Sequence, residues 1–499
     1  MKSVWHVGRP QERDFPPLYK DEQVDVAVIG AGITGLSTAL LLAEGGKRVA
    51  VVEAGRVGGG ATGNSTGNLY ANPGSSLSTI RRKWSDEVAH TVVAARRAGI
   101  DLIEESAKRF NIDCQFTRRP WYLCAPPDEP EYAAQIEKEY EACRIAGLPV
   151  HLERGAPVSV ATGEVLRIDD QAQFNPLRYT QGLAVAVEAA GGKIYEESRV
   201  ISIDTDQGVV ETNRARLHAE HIVHATHTPK GISVLQAEMM VYREYGISAR
   251  LREGGYPEGS FWLLGQAFHS VRSYHVDGQD YLVVVGEKHK TGQGTEVEVH
   301  YENLRGFVRR HFAVDSFEHA WSAQQFQPAD QLPYIGRAPL APRSYVATGF
   351  KADGLVWGAT AGIVISDLIL GRDERWGGLF SPQRFTPLKS AKQLLQENLA
   401  VAEHFVKDYL GGAKGGIEEL RNGEGRVVSL EGEKLAVYRD ENGRLSVLSA
   451  VCPHMKCVVH WNADDRQWEC PCHGSRFATD GRILDGPALE PLEQRAPRQ

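Results

Sequence analysis

The sequence predicts an α/β nucleotide-binding domain with a second lobe built on a mixed sheet, followed by a small all-β domain. Near the N-terminus, a short apolar strand runs into a glycine-rich turn and then into a helical stretch. Near the C-terminus, short strand-like runs separated by turns carry two loops, each of which pairs one Cys with one His. At 499 residues, the chain is long enough for two or three domains.

The composition is that of an ordinary globular protein, with 42% apolar residues, 24% charged residues and a net charge of −8. Acidic and basic residues interleave, and no basic stripe with spaced aromatic residues occurs, so we expect no nucleic-acid partner. No apolar run reaches the roughly 18 residues of a membrane span, and the first residues lack the apolar core of a signal peptide. We therefore expect a cytoplasmic protein.

The first motif predicts a dinucleotide site. Residues 25–29 form an apolar, β-branched run that is typical of a buried parallel strand. In the G-x-G-x-x-G turn that follows, Gly30 would permit the tight turn, Gly32 the approach of a diphosphate, and Gly35 close packing of the next helix. A second strand ends in Glu53, whose carboxylate can accept hydrogen bonds from ribose hydroxyls and would repel the 2′-phosphate of NADP.

The loop at residues 58–68 is rich in glycine and hydroxyl side chains, and it can wrap a long cofactor with backbone amides. Alone, such a loop could equally be a flexible surface segment. Together with the preceding turn, it resembles the second FAD contact of the D-amino-acid oxidase-like (DAO) flavoproteins, the family of glycine and sarcosine oxidases. Four later segments, at residues 192–200, 221–227, 330–336 and 345–355, follow the family's order, and the resemblance covers about residues 22–372.

The resemblance implies FAD as the cofactor. No Cys lies in residues 321–360 and no His in the loop at residues 58–68, so we expect the FAD to be held without a covalent bond. A helix expected to run from Ala359 to about Leu370 would turn its N-terminus towards the flavin. The implied FAD contacts are Gly30, Gly32, Gly35, Glu53, Ala61, Thr62, Val200, Thr226, Gly349, Gly354 and Leu355.

Two C-terminal loops, Cys452-Pro453-His454 and Cys470-Pro471-Cys472-His473, supply two thiolates and two imidazoles. This set suits a Rieske [2Fe–2S] cluster, in which two Cys hold one iron and two His the other. A structural zinc site is the alternative, although zinc fingers usually pair Cys with Cys and His with His. The surrounding residues, with Gly486-Pro487-Ala488, resemble the cluster loops and proline loop of Rieske proteins. The resemblance implies four cluster ligands: Cys452, His454, Cys470 and His473.

Two further cysteines, Cys457 and Cys472, lie in the same loops. In the Rieske proteins of quinol-oxidising complexes, the corresponding pair forms a disulfide, and the resemblance implies the same bond here. A reducing cytosol opposes disulfides, but a buried one of low potential can persist; the alternative is two free thiols beside the cluster. Ser475 takes the place of a family hydroxyl donor, whereas Phe477 replaces a tyrosine donor, which predicts a lower cluster potential.

The two resemblances together imply an FAD-dependent oxidoreductase that acts on the CH–NH or CH–NH₂ group of an amine or amino acid. Electrons would pass from reduced flavin through the cluster to an external one-electron acceptor. Sarcosine oxidase-like relatives carry a lysine that helps to activate oxygen; its counterpart is missing before Gly286, which favours a dehydrogenase. Such a reaction needs no catalytic triad, so we assign no acid–base residue.

Candidate substrate or flavin contacts are Arg243 and Tyr245 on one expected strand, and Lys351 in the last flavin loop. Arg243 could equally be a structural arginine, because strand alternation leaves its direction open, and Lys351 could face solvent. Four histidines between His218 and His227 recur every third residue, but they lie on an expected strand, whose alternating faces argue against a metal site.

Two other functions stay open: an electron-transfer component that relays electrons between redox partners, and a redox sensor switched by Cys457 and Cys472. We expect the FAD-dependent oxidoreductase over residues 1–380 and the Rieske domain over residues 413–499. The finer division places mainly FAD-binding residues at 22–150 and 325–372, the substrate lobe at 151–325, and a connecting helix and linker at 381–412.

Overall fold

The computed structural model describes residues 2–7, 13–252, 254–292, 299–384 and 417–495. The helix expected over residues 388–410 and the linker at residues 413–416 lie outside this described part. Within it, the helices are α1 (Ile33–Glu44), α2 (Leu77–Lys83), α3 (Asp86–Arg109), α4 (Pro130–Ile145), α5 (Pro176–Ala189), α6 (His300–His311) and α7 (Gly354–Ile369). None of the described helices is both long and apolar enough to cross a membrane.

The strands fall into two large sheets and two small ones. The strands of the first lobe and the sheet above it are β1 (Glu22–Ile29), β2 (Val49–Val52), β3 (Asn68–Leu69), β4 (Thr117–Cys124), β5 (Val150–Arg154), β6 (Glu164–Gln173), β7 (Lys193–Tyr195), β8 (Val200–Asp204), β9 (Val209–Thr212), β10 (Arg216–His224), β11 (Met239–Leu251), β12 (Ser260–Leu263), β13 (His269–Val276), β14 (Gln279–Lys290), β15 (Val314–Pro328), β16 (Tyr334–Arg337) and β17 (Ser344–Thr348). Those of the C-terminal domain are β18 (Gly425–Leu430), β19 (Glu433–Arg439), β20 (Leu445–Ser449), β21 (His460–Asn462), β22 (Gln467–Glu469), β23 (Arg476–Phe477) and β24 (Ile483–Asp485).

The first sheet carries the glycine turn after β1. Its strand order is β16-β17-β10-β1-β2-β7, and the β8–β9 hairpin is added to β10. The central strand β1 runs parallel to both β10 and β2, so the carboxyl ends of these strands meet at one edge. Ligands bind at that edge in open α/β sheets. Helix α1 packs against α7 and α5 there.

The second sheet forms a roof above this edge, in the order β15-β11-β14-β13-β12-β4-β6-β3, with β5 paired to β6. Strand β11 pairs antiparallel with both β14 and β15. Strands β3 and β4 come from the segment expected to bind mainly FAD, so the roof is assembled from segments far apart in sequence. Asn175 caps α5 by accepting hydrogen bonds from the N–H groups of Leu177 and Arg178.

The C-terminal domain has a three-stranded sheet, β18-β19-β20, and a four-stranded sheet, β21-β22-β23-β24. Asn442-Gly443, a pair typical of hairpin turns, lies in the turn that joins β19 to β20. Trp468 and Phe477 are fully buried between the cysteines of the two ligand loops. One expected boundary was wrong: α7 begins at Gly354 instead of Ala359, because Asp353 and Trp357 already form a helical hydrogen bond.

Candidate active site and cluster site

A cavity of about 460 Å³ lies between the carboxyl edge of the first sheet and the roof. The β1 turn, the loop at residues 58–66, β11, β15 and the start of α7 contribute to its wall. Of the eleven sequence-predicted FAD contacts, nine line this cavity: Gly30, Gly32, Glu53, Ala61, Thr62, Val200, Thr226, Gly354 and Leu355. The structure therefore brings residues from six separate segments of the chain together at one site.

The glycine turn is shaped by close backbone approaches. A Cβ atom on Gly30, whose φ is +105°, would lie 2.6 Å from the carbonyl oxygen of Ala225. A Cβ on Gly35 would lie 1.9 Å from the carbonyl oxygen of Gly30, so Gly35 packs behind the cavity and lets α1 approach the turn. Gly349 likewise lies outside the cavity wall, and it turns the chain next to Pro328.

Glu53 closes one end of the turn. Its Oε2 accepts a hydrogen bond from the Ala31 N–H at 2.9 Å, and its Oε1 accepts one from the Gly55 N–H at 2.8 Å. Burial raises the pKa of Glu53. The N-terminus of α1 faces the cavity beside it, with the Ile33 N–H donating to the Thr62 hydroxyl. A carboxylate, free helix N–H groups and side-chain-free glycines fit the ribose and diphosphate of FAD.

Lys351 lies at the other end of the cavity, just before α7. Its φ of 53° is in the left-handed region, which non-glycine residues seldom occupy, and its side chain donates to the Gln331 amide oxygen. Burial lowers the pKa of Lys351 to about 7, and nearby Asp353 opposes that shift. The lysine therefore faces the cavity instead of bulk solvent.

Glu244 and Lys288 are polar residues that the sequence reasoning missed. Glu244 lines the cavity, and burial raises its pKa while Lys288 and Gln325 favour its charged form. The Lys288 ammonium lies 4.4 Å from the centre of the Tyr242 ring. The two-residue period of β11 already separates Glu244 from Arg243, but it does not say which of the two faces the cavity.

Arg243 lies on the opposite side of β11 from Glu244 and is fully buried in the contact with the C-terminal domain. Its guanidinium hydrogen-bonds Asp465, and its Nε lies 3.2 Å from Glu469 Oε1. It is therefore a structural arginine of the domain interface, the alternative that the sequence left open. Tyr245 borders the cavity, but its hydroxyl faces the interface, where it meets His289 at 3.0 Å and Asn462 at 3.3 Å.

The four predicted cluster ligands converge. The rings of His454 and His473 are 5.1 Å apart at 83°, and the Nδ1 atom of each is buried without a hydrogen-bond partner in the described part of the chain. The Cys452 and Cys470 thiols are buried beside each other; Cys470, with help from Ser475, lowers the pKa of Cys452 to about 7. Two adjacent thiols and two unpaired imidazole nitrogens fit the ligand set of a Rieske cluster.

Cys457 and Cys472 form a disulfide that joins the two ligand loops, as the resemblance implied. Their sulfur atoms also lie within 4.8 Å of the Cys470 sulfur. Because the two are bonded to each other, they are not available as thiolate ligands, and Cys470 stays free to bind iron.

The ligand loops rest directly on the cavity wall. The Gln324 side-chain amide, which lines the cavity, donates to the Gly474 carbonyl oxygen at 2.9 Å. His454 Nε2 lies 3.2 Å from the Gly231 carbonyl oxygen on the nucleotide-binding side. The C-terminal domain also contributes wall residues of its own, which are Arg476, Ile483, Leu484, Asp485 and Ala488. The cluster site and the cavity are thus parts of one assembly.

Comparisons with known proteins agree with this geometry. Residues 25–368 match the family model described as DAO, FAD dependent oxidoreductase, and residues 414–496 match that of the Rieske [2Fe-2S] domain. The chain is 32% identical over 489 residues to YhfW of Bacillus subtilis (strain 168), named as a Rieske 2Fe-2S iron-sulfur protein, covering 96% of this chain and 95% of YhfW.

Two further relatives cover the first domain. The gamma-glutamylputrescine oxidoreductase of Escherichia coli (strain K12) is 25% identical over 419 residues, which are 78% of this chain and 96% of that protein. The crystal structure of glycine oxidase from Geobacillus kaustophilus has a TM-score of 0.60 at 21% identity, covering 73% of this chain and 99% of that one. The fold class expected from the sequence is confirmed, and so are the two expected cofactors.

Proposed function

Because the chain belongs to the DAO family of FAD-dependent oxidoreductases and carries a C-terminal Rieske [2Fe-2S] domain, we propose that it dehydrogenates a small amine or amino acid at its C–N bond and passes the electrons to an external one-electron acceptor. The observation that carries this proposal is the shared wall: Gln324 borders the cavity and bonds the loop that holds His473. When bound, FAD takes up a hydride and a Rieske cluster carries single electrons.

The residues that would hold FAD are among those that line the cavity. The glycine turn at Gly30 and Gly32, with the N-terminus of α1, would bind the diphosphate, and Glu53 would bind the ribose. At the far end, the N-terminus of α7 points its positive dipole end into the cavity at Gly354, where it favours negative charge on the reduced ring.

Glu244 and Lys351 give the substrate end of the cavity one carboxylate and one amine. We assign Lys351, in its charged form, to the carboxylate of an amino-acid substrate. Glu244 would accept hydrogen bonds from the substrate nitrogen and take the ammonium proton, since the amine must be neutral before it gives up a hydride. Burial raises the pKa of Glu244, which makes it a stronger proton acceptor than an ordinary carboxylate.

Arg243 would act at a distance from the substrate. Its ion pairs with Asp465 and Glu469 hold the Rieske domain against β11, and this keeps the ligand loops at the cavity wall. A domain fixed in this position could receive electrons without a large movement. The alternative function of a pure electron relay needs no Glu244 and Lys351 pair at the far end of the cavity.

The proposal is tested by anaerobic mixing of the purified protein with a panel of amino acids and of the amines that lack their carboxylate. We expect at least one compound to bleach the oxidised flavin absorbance. The Glu244→Gln variant should then bleach at least tenfold more slowly with the same compound at neutral pH. Bleaching by nicotinamide or protein donors alone, with every amine and amino acid inactive, would overturn the proposal in favour of an electron-transfer component.

A further inference from the structure

Arg476 belongs to the Rieske domain, yet its side chain lines the cavity of the FAD domain. We propose that the Rieske domain completes the FAD site: Arg476, with Lys230 and Arg199, binds the diphosphate of FAD, so that FAD retention depends on docking of the Rieske domain. This inference concerns the cofactor alone, and it holds whichever substrate the enzyme oxidises.

The Rieske side of the cavity is a continuous piece of wall. Arg476 comes from β23, and residues 483–485 with Ala488 come from β24 and the proline loop. The same cavity is lined by residues 198–200 and Thr226, and the family resemblance places Val200 at the adenine of FAD. The proline loop is fastened there, because the Gly231 N–H donates to the Pro487 carbonyl oxygen at 2.9 Å.

Three cations gather at this wall. The Arg476 Nη2 lies 3.2 Å from Asp485, while its Nε is buried and has no hydrogen-bond partner among the described residues. The Lys230 ammonium donates to the Gly486 carbonyl oxygen, and Arg199 lines the cavity beside it. Burial lowers the pKa of all three cations, since they lose water that no nearby anion fully replaces.

The carboxylates that face the cavity at this place are fewer than the cations. Asp485 and Glu53 lie near Lys230 and Arg199, whereas Asp465 and Glu469, which also act on Arg476, already pair with Arg243. Uncompensated buried cations are costly. A bound dianion would offset that cost, and the diphosphate of FAD is the dianion that the glycine turn already selects.

The cations also lie at the end of the cavity that holds Glu53 and the glycine turn. Glu53 is close enough to Lys230 and Arg199 to stabilise their charged forms. Glu53 itself bonds the Ala31 N–H inside the glycine turn, where a diphosphate binds at the N-terminus of α1. Arg476 lies close enough to Lys230 to help lower its pKa, so it belongs to the same group of cations although it comes from the other domain.

The Rieske domain is docked by contacts away from the cavity. Asp465 and Glu469 pair with Arg243, and the Gly292 N–H donates to Glu469 Oε2 at 3.1 Å. These contacts hold the Rieske domain whether or not FAD is present. If FAD contacts both domains, domain docking strengthens FAD binding, and FAD binding strengthens domain docking by the same free energy.

The test measures FAD affinity on the full-length protein, with the cluster verified by its EPR signal. Arg476→Gln should weaken FAD binding by roughly tenfold, the loss of one charge-assisted contact, and should reduce its dependence on salt. Arg476→Lys should recover part of the affinity. The matched control is Arg466→Gln in the same domain, whose side chain is 57% exposed and pairs with Glu441; it should stay within about twofold of wild type.

Unchanged FAD affinity and salt dependence in Arg476→Gln would overturn the proposal. If that variant loses its cluster, Lys230→Gln in the FAD domain decides by the same criterion. In the wild-type protein, FAD should also raise the temperature at which the cluster absorbance bleaches, and Arg476→Lys should shrink that increase. An equal increase in wild type and Arg476→Lys would likewise contradict a contact between Arg476 and FAD.

Discussion

The side-chain amide of Gln324 donates a hydrogen bond to the carbonyl oxygen of Gly474, 2.9 Å away, across the boundary between the two domains. Gln324 lines the cavity that fits FAD, and Gly474 follows His473, one of the four proposed cluster ligands. A Cβ on Gly474 would also lie 2.6 Å from the Val241 side chain, so the loop touches β11 as well. This contact is one of the hydrogen bonds that join the cavity wall to the loops of the Rieske domain.

Gln324→Leu should slow electron transfer into the cluster. The substitution keeps the approximate size of the side chain but removes the donor to Gly474, so the loop loses its anchor on the cavity wall. We expect cluster reduction to slow severalfold, while reduction of the flavin by substrate changes little. Rapid mixing with freeze-quenched EPR separates the two rates. Equal slowing of both steps would mean that Gln324 acts on the flavin or substrate instead.

Arg243→Met should destabilise the protein by about 3–5 kcal/mol, because it leaves Asp465 and Glu469 charged and unpaired in the interface. Denaturant unfolding, followed by cluster absorbance, measures the loss. The matched control is Arg250→Met on the same strand, where the side chain is exposed, and it should cost less than about 0.5 kcal/mol. Similar losses in both variants would show that the ion pairs contribute little.

Phe477→Tyr should raise the reduction potential of the cluster. Phe477 is fully buried beside the ligand loops, and a tyrosine hydroxyl there would supply the hydrogen bond to sulfur that this chain lacks. An EPR-monitored redox titration measures the shift, which we expect to be tens of millivolts upward. An unchanged potential in a variant with an intact cluster would refute the assigned role of Phe477.

Lys351→Met should raise the KM for an amino-acid substrate by roughly tenfold or more, the effect of losing a charged hydrogen-bond donor. The KM for the matching amine without a carboxylate should change much less. The pKa of Lys351 is lowered to about 7, so its charge is present below pH 7 and lost as the pH rises through that value. In the wild type, affinity for the amino acid should therefore fall above about pH 7, and the variant should lack this dependence. A wild-type pH profile that matches that of Lys351→Met would remove Lys351 from carboxylate binding.

Local motifs in the sequence predict the glycine turn, Glu53 and the four cluster ligands, and the structure gathers the first two at the cavity and the last four in two facing loops. Each of these depends on residues near one another in the chain, such as the turn that needs Gly30 and the paired Cys and His of each loop. Even the disulfide partners lie within the two ligand loops.

Contacts between distant segments could not be predicted in the same way. The side chain of Arg243 points towards Asp465 and Glu469, which lie more than two hundred residues later in the chain. The residue pattern of β11 does not predict these partners. The presence of Arg476 in the FAD cavity depends on how the two domains dock, which is decided by many small contacts at once. Glu244 was missed because strand alternation gives two faces without saying which is buried against the cofactor.

Single-turnover EPR tests whether electrons leave the flavin through the Rieske domain. The protein is reduced anaerobically with one equivalent of an active substrate, and the cluster signal is followed beside the flavin absorbance. Our account predicts that the flavin bleaches first and the Rieske signal then rises, whereas Cys452→Ser bleaches its flavin with no Rieske signal. A wild-type flavin that stays reduced beside an oxidised cluster, with no acceptor present, would contradict it.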